Sequence, residues 1–255
     1  SINPQVTSLN WVLSQNVIPA TTKLPVDHTA FPLTAYMRLF APFLIPASES
    51  KVIYMDVDMI VLEDISKLWH TDIGNNIFAA VQDHQKVVSC EWGGIPNYKA
   101  LGIPADTKYF NSGLLLINTK KWIEAGISNK VIRCMNDNMA HVNYADQYGL
   151  NVAMYNQWFE LDSNWNCFAA FDYETPYIIH FLDIKPIFKS YNSKKSYQEE
   201  FFKYLNMTAW SGFKPISNYK RLYRKIQNKA KKIFMGSKLN LPLFPKFKHN
   251  ISTAY

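Results

Sequence analysis

Short, compact apolar runs alternate along this chain with longer stretches of helical period. The run 51–55 (Lys-Val-Ile-Tyr-Met) is rich in β-branched and aromatic residues, which predicts a buried strand that ends at Asp56-Val57-Asp58. Residues 77–81 predict a second strand, running into Gln82-Asp83, and residues 109–118 a third, with its apolar heart at 113–117. A last strand is expected over 177–181. Helices are expected over 33–43 with Thr34 as cap, over 64–69, from Lys120 onward, and over 128–138, 145–155 and 196–205. Pro4, Pro19, Pro25 and Pro32 cut the first 32 residues into short pieces. Strands alternating with helices predict an α/β fold: a Rossmann-like mixed, mostly parallel sheet flanked by helices. In such sheets the chemistry sits beyond the carboxyl ends of the strands. Asp56, Asp58 and Asp83 are expected just there.

Composition narrows the class. The chain has 255 residues, 48% hydrophobic and 18% charged, enough for a sizeable core and far from a disordered composition. No run of about 18 apolar residues could cross a membrane, and the first residues lack the basic and apolar regions of a signal peptide. Cys90, Cys134 and Cys167 are scattered, so neither a disulfide framework nor a zinc spacing is legible. They are expected to be buried free thiols in a reducing compartment. The net charge of +7 hides an asymmetry. Residues 1–200 carry 15 basic and 20 acidic side chains, a balance of −5, whereas residues 201–255 carry 12 basic and no acidic ones. An acidic body therefore precedes a basic tail, and each needs its own explanation.

Two carboxylates two residues apart at a strand end can reach one hard cation and leave room for phosphate oxygens. Asp-x-Asp alone is a weak signal; the preceding apolar run strengthens it. Solvated loop acids or helix caps are the plain alternative. Two chemistries use such a pair. One is phosphoryl transfer with Asp56 as nucleophile and Asp58 as acid-base. The other is metal-assisted binding of a nucleotide-sugar diphosphate. The apolar Met59-Ile60-Val61 that follows is unlike the hydroxylic residue the first chemistry wants.

Longer stretches carry a family resemblance. Residues 54–61 (Tyr-Met-Asp-Val-Asp-Met-Ile-Val), Ile65-x-x-Leu68-Trp69 and residues 110–118 (Phe-Asn-Ser-Gly-Leu-Leu-Leu-Ile-Asn) resemble glycosyltransferase family 8. That family includes the bacterial lipopolysaccharide galactosyl- and glucosyltransferases and glycogenin. Residues 34–39, residues 145–151 with their Asp146-Gln147 pair, and His180 followed by Lys185-Pro186 resemble further family segments in the same order. The resemblance runs from about Asp27 to Ser190.

The resemblance implies retaining transfer of a hexose, glucose or galactose, from a UDP-sugar, with Mn²⁺ or Mg²⁺, on a GT-A type fold. By motif, Asp56, Asp58 and His180 would hold the metal. Lys185 would reach the diphosphate, and the backbone of Val57 the nucleoside. Arg38, Asp83, Asn111, Ser112, Gly113 and Asp146 would line the donor-sugar pocket. Gln147 would lie under the anomeric carbon, with Asp146 beside it. Sugar hydroxyls call for such short polar groups, and an amide beside the anomeric carbon suits an oxocarbenium-like state better than nucleophilic attack. The chain departs from the pattern twice. The loop after His180 (Phe-Leu-Asp-Ile-Lys) lacks the glycine the family often has there, and it is one residue shorter. The strand–helix–strand unit with which the family usually begins is matched, at most, by its end, in residues 1–26.

Residues 158–177 crowd Trp158, Phe159, Trp165, Phe168, Phe171, Tyr173 and Tyr177, read mostly as core, with some rings free to stack on an acceptor sugar. Tyr219, Leu222, Tyr223, Ile226, Ala230 and Ile233 share one helical face, with basic residues around the rest. This basic amphipathic stretch suits an anionic membrane surface over residues 214–248; docking on the body and nucleic-acid binding are the rivals, and no nucleic-acid module accompanies the charge. The expected organisation is a transferase domain over 1–205, its N-terminal part missing, and a basic extension over 206–255. The expected acceptor is a glycan or lipid-linked saccharide at the inner face of the cytoplasmic membrane. A phosphohydrolase, or a non-catalytic nucleotide- or glycan-binding module, is the alternative.

Overall fold

A computed structural model describes residues 9–13, 16–19, 22–27, 29 and 31–220, and in the helical stretch that follows Leu222, Tyr223, Ile226, Gln227 and Ala230. Strands β1 (Lys51–Met55), β3 (Phe78–Val87), β4 (Lys108–Asn118) and β5 (Phe159–Glu160) form the main sheet in the order β1-β4-β3-β5. A smaller sheet joins β2 (Met59–Val61), β7 (Ile178–His180) and β6 (Cys167–Phe168), in that order. Helices α1 (Ile65–Trp69), α2 (Thr119–Glu124), α3 (Ile127–Asp137), α4 (Asp146–Ala153) and α5 (Lys195–Leu205) flank the sheets, and Leu33–Leu44 forms a 3-10 helix.

The mixed α/β architecture stands as expected, but the pairing needs a correction. β1, β3 and β5 run the same way, yet β4 is inserted against both β1 and β3, and β2 runs against β7. Only β3–β5 and β6–β7 are parallel ladders among the described residues. β4 can serve both neighbours because residues 109–117 are buried on both faces. Its alternate residues Leu115 and Ile117 enter one core with Tyr36, Leu39 and Trp122; Leu114 and Leu116 enter another with Leu68, Ile73 and Ile178.

Other expectations hold or shift locally. Asp64 caps α1 by accepting from Ser66 N at 2.9 Å. Residues 33–44 wind as a 3-10 helix entered from Pro32 rather than capped by Thr34, and Pro42 sits inside it, where it could not donate to an α-helical ladder. β3 extends well past Val81, so Asp83 lies within the strand, next to a break in its register with β4. Among the cysteines only Cys167 is buried; Cys90 and Cys134 are half-buried, and all three are free thiols. Gly149 sits in α4 because a Cβ there would lie 2.6 Å from Met135 and 2.8 Å from Val131 of α3. That close approach outweighs glycine's cost in a helix.

Candidate functional site

β1 ends at Met55, but the ladder continues one residue further: Asp56 N donates to Gly113 O at 2.8 Å. The chain then leaves the main sheet and enters the small one, where Met59 of β2 pairs with His180 of β7 and Phe181 N donates to Asp58 O at 2.9 Å. Asp56-Val57-Asp58 is thus the crossing between the two sheets, and His180 is brought up against it. His180 Nε2 lies 3.3 Å from Asp58 Oδ1 and 3.9 Å from Asp56 Oδ2. The Val57 side chain between the two acids points fully into solvent. β4 passes directly beneath: a Cβ on Gly113 would meet His180 Cε1 at 2.5 Å and Asp56 Oδ2 at 3.0 Å.

Positive side chains offset the paired carboxylates. Arg38 is buried, with Nη2 3.2 Å from Asp56 Oδ1 and Nε 2.9 Å from Asp146 Oδ2. Its Nη1 also donates to the backbone oxygen and to Oγ of Ser112, the latter at 2.8 Å. Tyr54 OH donates to Asp56 Oδ1 at 2.7 Å. Lys185 Nζ contacts Asp58 Oδ2 at 2.5 Å and the carbonyl of Phe181. Burial alone would raise the Asp58 carboxyl, but the imidazole of His180 and the ammonium of Lys185 outweigh it and hold the group well below the usual carboxylate range. Burial pushes the Asp146 carboxyl up to about 6 against the pull of Arg38.

A buried polar floor adjoins the acids. Gln147, in the first turn of α4, accepts from Ser112 N at 2.9 Å through Oε1 and donates from Nε2 to Asp83 Oδ2 at 3.1 Å. Asn111 donates to the same Asp83 oxygen at 3.2 Å and accepts from Gly113 N at 2.9 Å. Asn151 holds α4 against β4, accepting from Phe110 N and donating to Phe110 O. Beside Asp83, at the carboxyl end of β5, a cavity of about 530 Å³ opens; Gln82, Glu160, Asp162, Asn166 and Tyr173 are among its walls.

Eleven of the residues singled out from sequence therefore form one network: Arg38, Asp56, Asp58, Asp83, Asn111, Ser112, Gly113, Asp146, Gln147, His180 and Lys185. Val57 sits at its lip. Asn111, Ser112 and Gly113 lie mid-strand in β4, within the strand expected over 109–118, and Arg38 pairs with Asp56 and Asp146. Tyr54 and Asn166 are additional members. Tyr54 was findable, since two residues apart on a strand means one face. Asn166 carried no local signal, because it lies between aromatic residues that read as core.

The Asp56, Asp58 and His180 ligand atoms all lie within 4.8 Å of one another, and they are the one such group among the described residues. His180 is buried, and its Nε2 has no hydrogen-bond partner. A lone imidazole nitrogen between two carboxylates is the chemistry of a divalent-cation site with hard and borderline donors. The residues present fit such an ion.

Comparison with known proteins agrees. The model of Glycosyl transferase family 8 matches residues 5–217. General stress protein A of Bacillus subtilis (strain 168) is 33% identical over 207 residues, covering 73% of this chain and 69% of that protein. The lipopolysaccharide 1,2-glucosyltransferase of Escherichia coli (strain K12) is 29% identical over 119 residues, covering 47% of this chain and 34% of that protein. A probable glycosyl transferase, Gly, of Streptococcus gordonii is 30% identical over 188 residues; the match spans 70% of this chain and only 25% of the relative. Among solved structures, the galactosyltransferase LgtC in complex with donor and acceptor sugar analogues superposes with a TM-score of 0.60 at 24% identity, covering 73% of this chain and 71% of that one. Its likeness extends to the fold, a GT-A type arrangement of sheets flanked by helices. With the family pattern matched over most of its length and the family's acidic pair, Asp-Gln helix and closing histidine drawn into one site, the chain belongs to glycosyl transferase family 8.

Proposed function

We propose that the chain moves a hexose, glucose or galactose, from a UDP-sugar to a glycan or lipid-linked saccharide with retention of configuration. The observation that carries the reading is the buried His180 Nε2, without a hydrogen-bond partner, facing Asp56 and Asp58. These three residues would hold a divalent cation, with Mn²⁺ favoured over Mg²⁺ because the set includes an imidazole. When bound, the ion would neutralise charge developing on the UDP leaving group. The chain's own residues do the rest. Lys185 leaves Asp58 for a diphosphate oxygen as a point charge, and the exposed backbone at Val57 faces the nucleoside. Arg38, Asp83, Asn111, Ser112 and Gly113 receive the donor sugar. The Gln147 carbonyl, held by Ser112 N–H, presents partial negative charge to an oxocarbenium-like anomeric carbon, while Asp146 keeps Arg38 oriented. The departing phosphate oxygen takes the acceptor's proton. The cavity beside Asp83 mixes carboxylates, amides and the Tyr173 ring, a lining suited to a neutral saccharide acceptor.

The proposed organisation is a transferase domain over residues 1–205 and a membrane-binding extension over 206–255, placing the enzyme peripherally at the inner face of the cytoplasmic membrane. Tyr219, Leu222, Tyr223 and Ile226 support this, since all four are exposed at helical spacing instead of being packed on the body. Arg221, Arg224, Lys225, Lys229 and residues 231–255 lie outside the described residues. Among the described residues no helix is long and apolar enough to cross a membrane.

Calorimetric titration of UDP with and without Mn²⁺ tests the core of the reading. Tight binding that needs Mn²⁺ and falls at least about tenfold in Asp58→Asn is expected. Binding indifferent to both metal and substitution would overturn it.

A further inference from the structure

We propose that Asn166 is a positioning residue that fixes a proton on His180 Nδ1, so that Nε2 is the nitrogen presented to Asp56 and Asp58. The inference rests on the metal-holding role proposed for that site, but its evidence is a chain of hydrogen bonds whose direction can be read from one end to the other.

The chain begins at two groups with no freedom of role. The Asp83 carboxylate only accepts, and the Gly113 backbone N–H only donates. Asn111 lies between them, so its Nδ2 must face Asp83 Oδ2, at 3.2 Å, and its Oδ1 must face Gly113 N, at 2.9 Å. The next contact also falls on Asn111 Oδ1: the Asn166 amide meets it at 2.9 Å, which requires a donor there and assigns that atom of Asn166 as Nδ2. Asn166 Oδ1 is then left to face His180 Nδ1, at 2.9 Å, and an amide oxygen can only accept. Nδ1 must carry the proton. Turning the Asn166 amide over would set oxygen against oxygen at Asn111, losing that bond in a fully buried place.

The fold makes the relay rigid. Asn166 ends a 3-10 turn, Ser163–Asn166, and is followed at once by β6, which pairs with β7 so that Phe168 lies opposite His180. Asn166 and His180 are both about 1% exposed, so no water competes for the amide. The same Asp83 oxygen also receives Gln147 Nε2. One carboxylate thereby orients both the amide beside the proposed reacting centre and, through two asparagines, the histidine at the acidic pair.

The test uses the full chain and ¹⁵N-histidine spectra, recorded without metal at mildly alkaline pH, alongside Mn²⁺ binding in the presence of UDP. Wild type is expected to show a protonated-type Nδ1 and an unprotonated-type Nε2 for His180. Asn166→Leu and Asn166→Asp both lose the donor to Asn111, but only Asn166→Asp keeps an acceptor for Nδ1. Asn166→Asp should therefore retain the tautomer, whereas Asn166→Leu should mix the two forms and weaken Mn²⁺ binding at least about tenfold. An Nε2-protonated wild type, loss of the tautomer in Asn166→Asp, or a folded Asn166→Leu with unchanged tautomer and Mn²⁺ affinity would each overturn the proposal. If Asn166→Leu does not fold, wild type and Asn166→Asp still decide. A chain with the expected tautomer that never binds Mn²⁺ would count against the proposed function and leave the relay standing.

Discussion

At the level of single residues the site is crowded to the point where one atom matters. Gly113 lies mid-strand, where glycine ordinarily weakens a sheet, and its reason is the His180 ring and the Asp56 carboxylate above it. Gly113→Ala places a methyl 2.5 Å from His180 Cε1, in a region of backbone and buried side chains that cannot retreat. The expected result is a loss of about 1–3 kcal/mol of stability and at least about tenfold in Mn²⁺-dependent UDP affinity. Thermal melting and calorimetry read the two effects, and unchanged nucleotide affinity would remove the ring from its place over β4. Asp146 offers a pH signature. Its folded-state carboxyl is raised to about 6, above its unfolded value, so the folded chain binds the proton more tightly. Its contribution to stability therefore grows as pH falls from about 6 to about 4 and is absent well above 6. Asp58 has the opposite sign: its contribution is present above the ordinary carboxylate range and is lost at lower pH. Melting temperatures of wild type and Asp146→Asn should draw apart in favour of wild type between pH 6 and 4. Parallel curves would mean that Asp146 does not titrate there.

Among the elements, the entry to α4 stores strain next to the proposed chemistry. Ala145 has φ 47° and ψ −131°, a backbone conformation that suits glycine, and it immediately precedes Asp146 and Gln147. The turn puts both side chains at the helix start, Gln147 against Ser112 of β4 and Asp146 against Arg38. Ala145→Gly should relieve about 1–3 kcal/mol of strain, offset by glycine's extra freedom in the unfolded chain. A net gain near 1 kcal/mol, about 2–4 °C in melting temperature, is expected with the fold unchanged. A lower melting temperature would mean that the Ala145 methyl's packing outweighs the strain. The loop after His180 shows a related device. Asp183 has φ 54°, so an aspartate occupies the left-handed conformation that a glycine would take most easily, which explains how this loop closes without one.

For the whole molecule, the division between an acidic body and a basic tail underlies the proposed membrane association. The exposed Tyr219, Leu222, Tyr223 and Ile226 continue from the body into the run of lysines and arginines. Removing residues 218–255, which spares the pairing of Ile216 with Ile187 and Lys189, should leave metal-dependent UDP binding unchanged and weaken binding to vesicles containing anionic lipid, most strongly at low salt. Equal vesicle binding by the shortened chain would end the membrane assignment.

The two kinds of information divided along the range of the interactions. Local pattern was enough for the strands at 51–55 and 109–118, for the helices from 127 to 153, and for the Asp56–Asp58 pair, whereas Gln147 and His180 stood out only through the family resemblance. Burial period and short motifs are written within a few neighbours of the chain. What could not be read there was pairing at a distance. The insertion of β4 against both neighbours, the extension of β3 through Asp83, and the β2–β7 ladder that carries His180 to Asp58 each depend on which distant segment arrives alongside. Motif alone places Arg38 at the site, but which groups it holds is decided only when Ser112, Asp56 and Asp146 close around it. Asn166 has no motif at all; its role exists only because Asn111 and His180, 55 positions before it and 14 after it, meet its two amide atoms. Hydrogen-bond direction is a property of assembled neighbours, so it emerges only once the chain has folded.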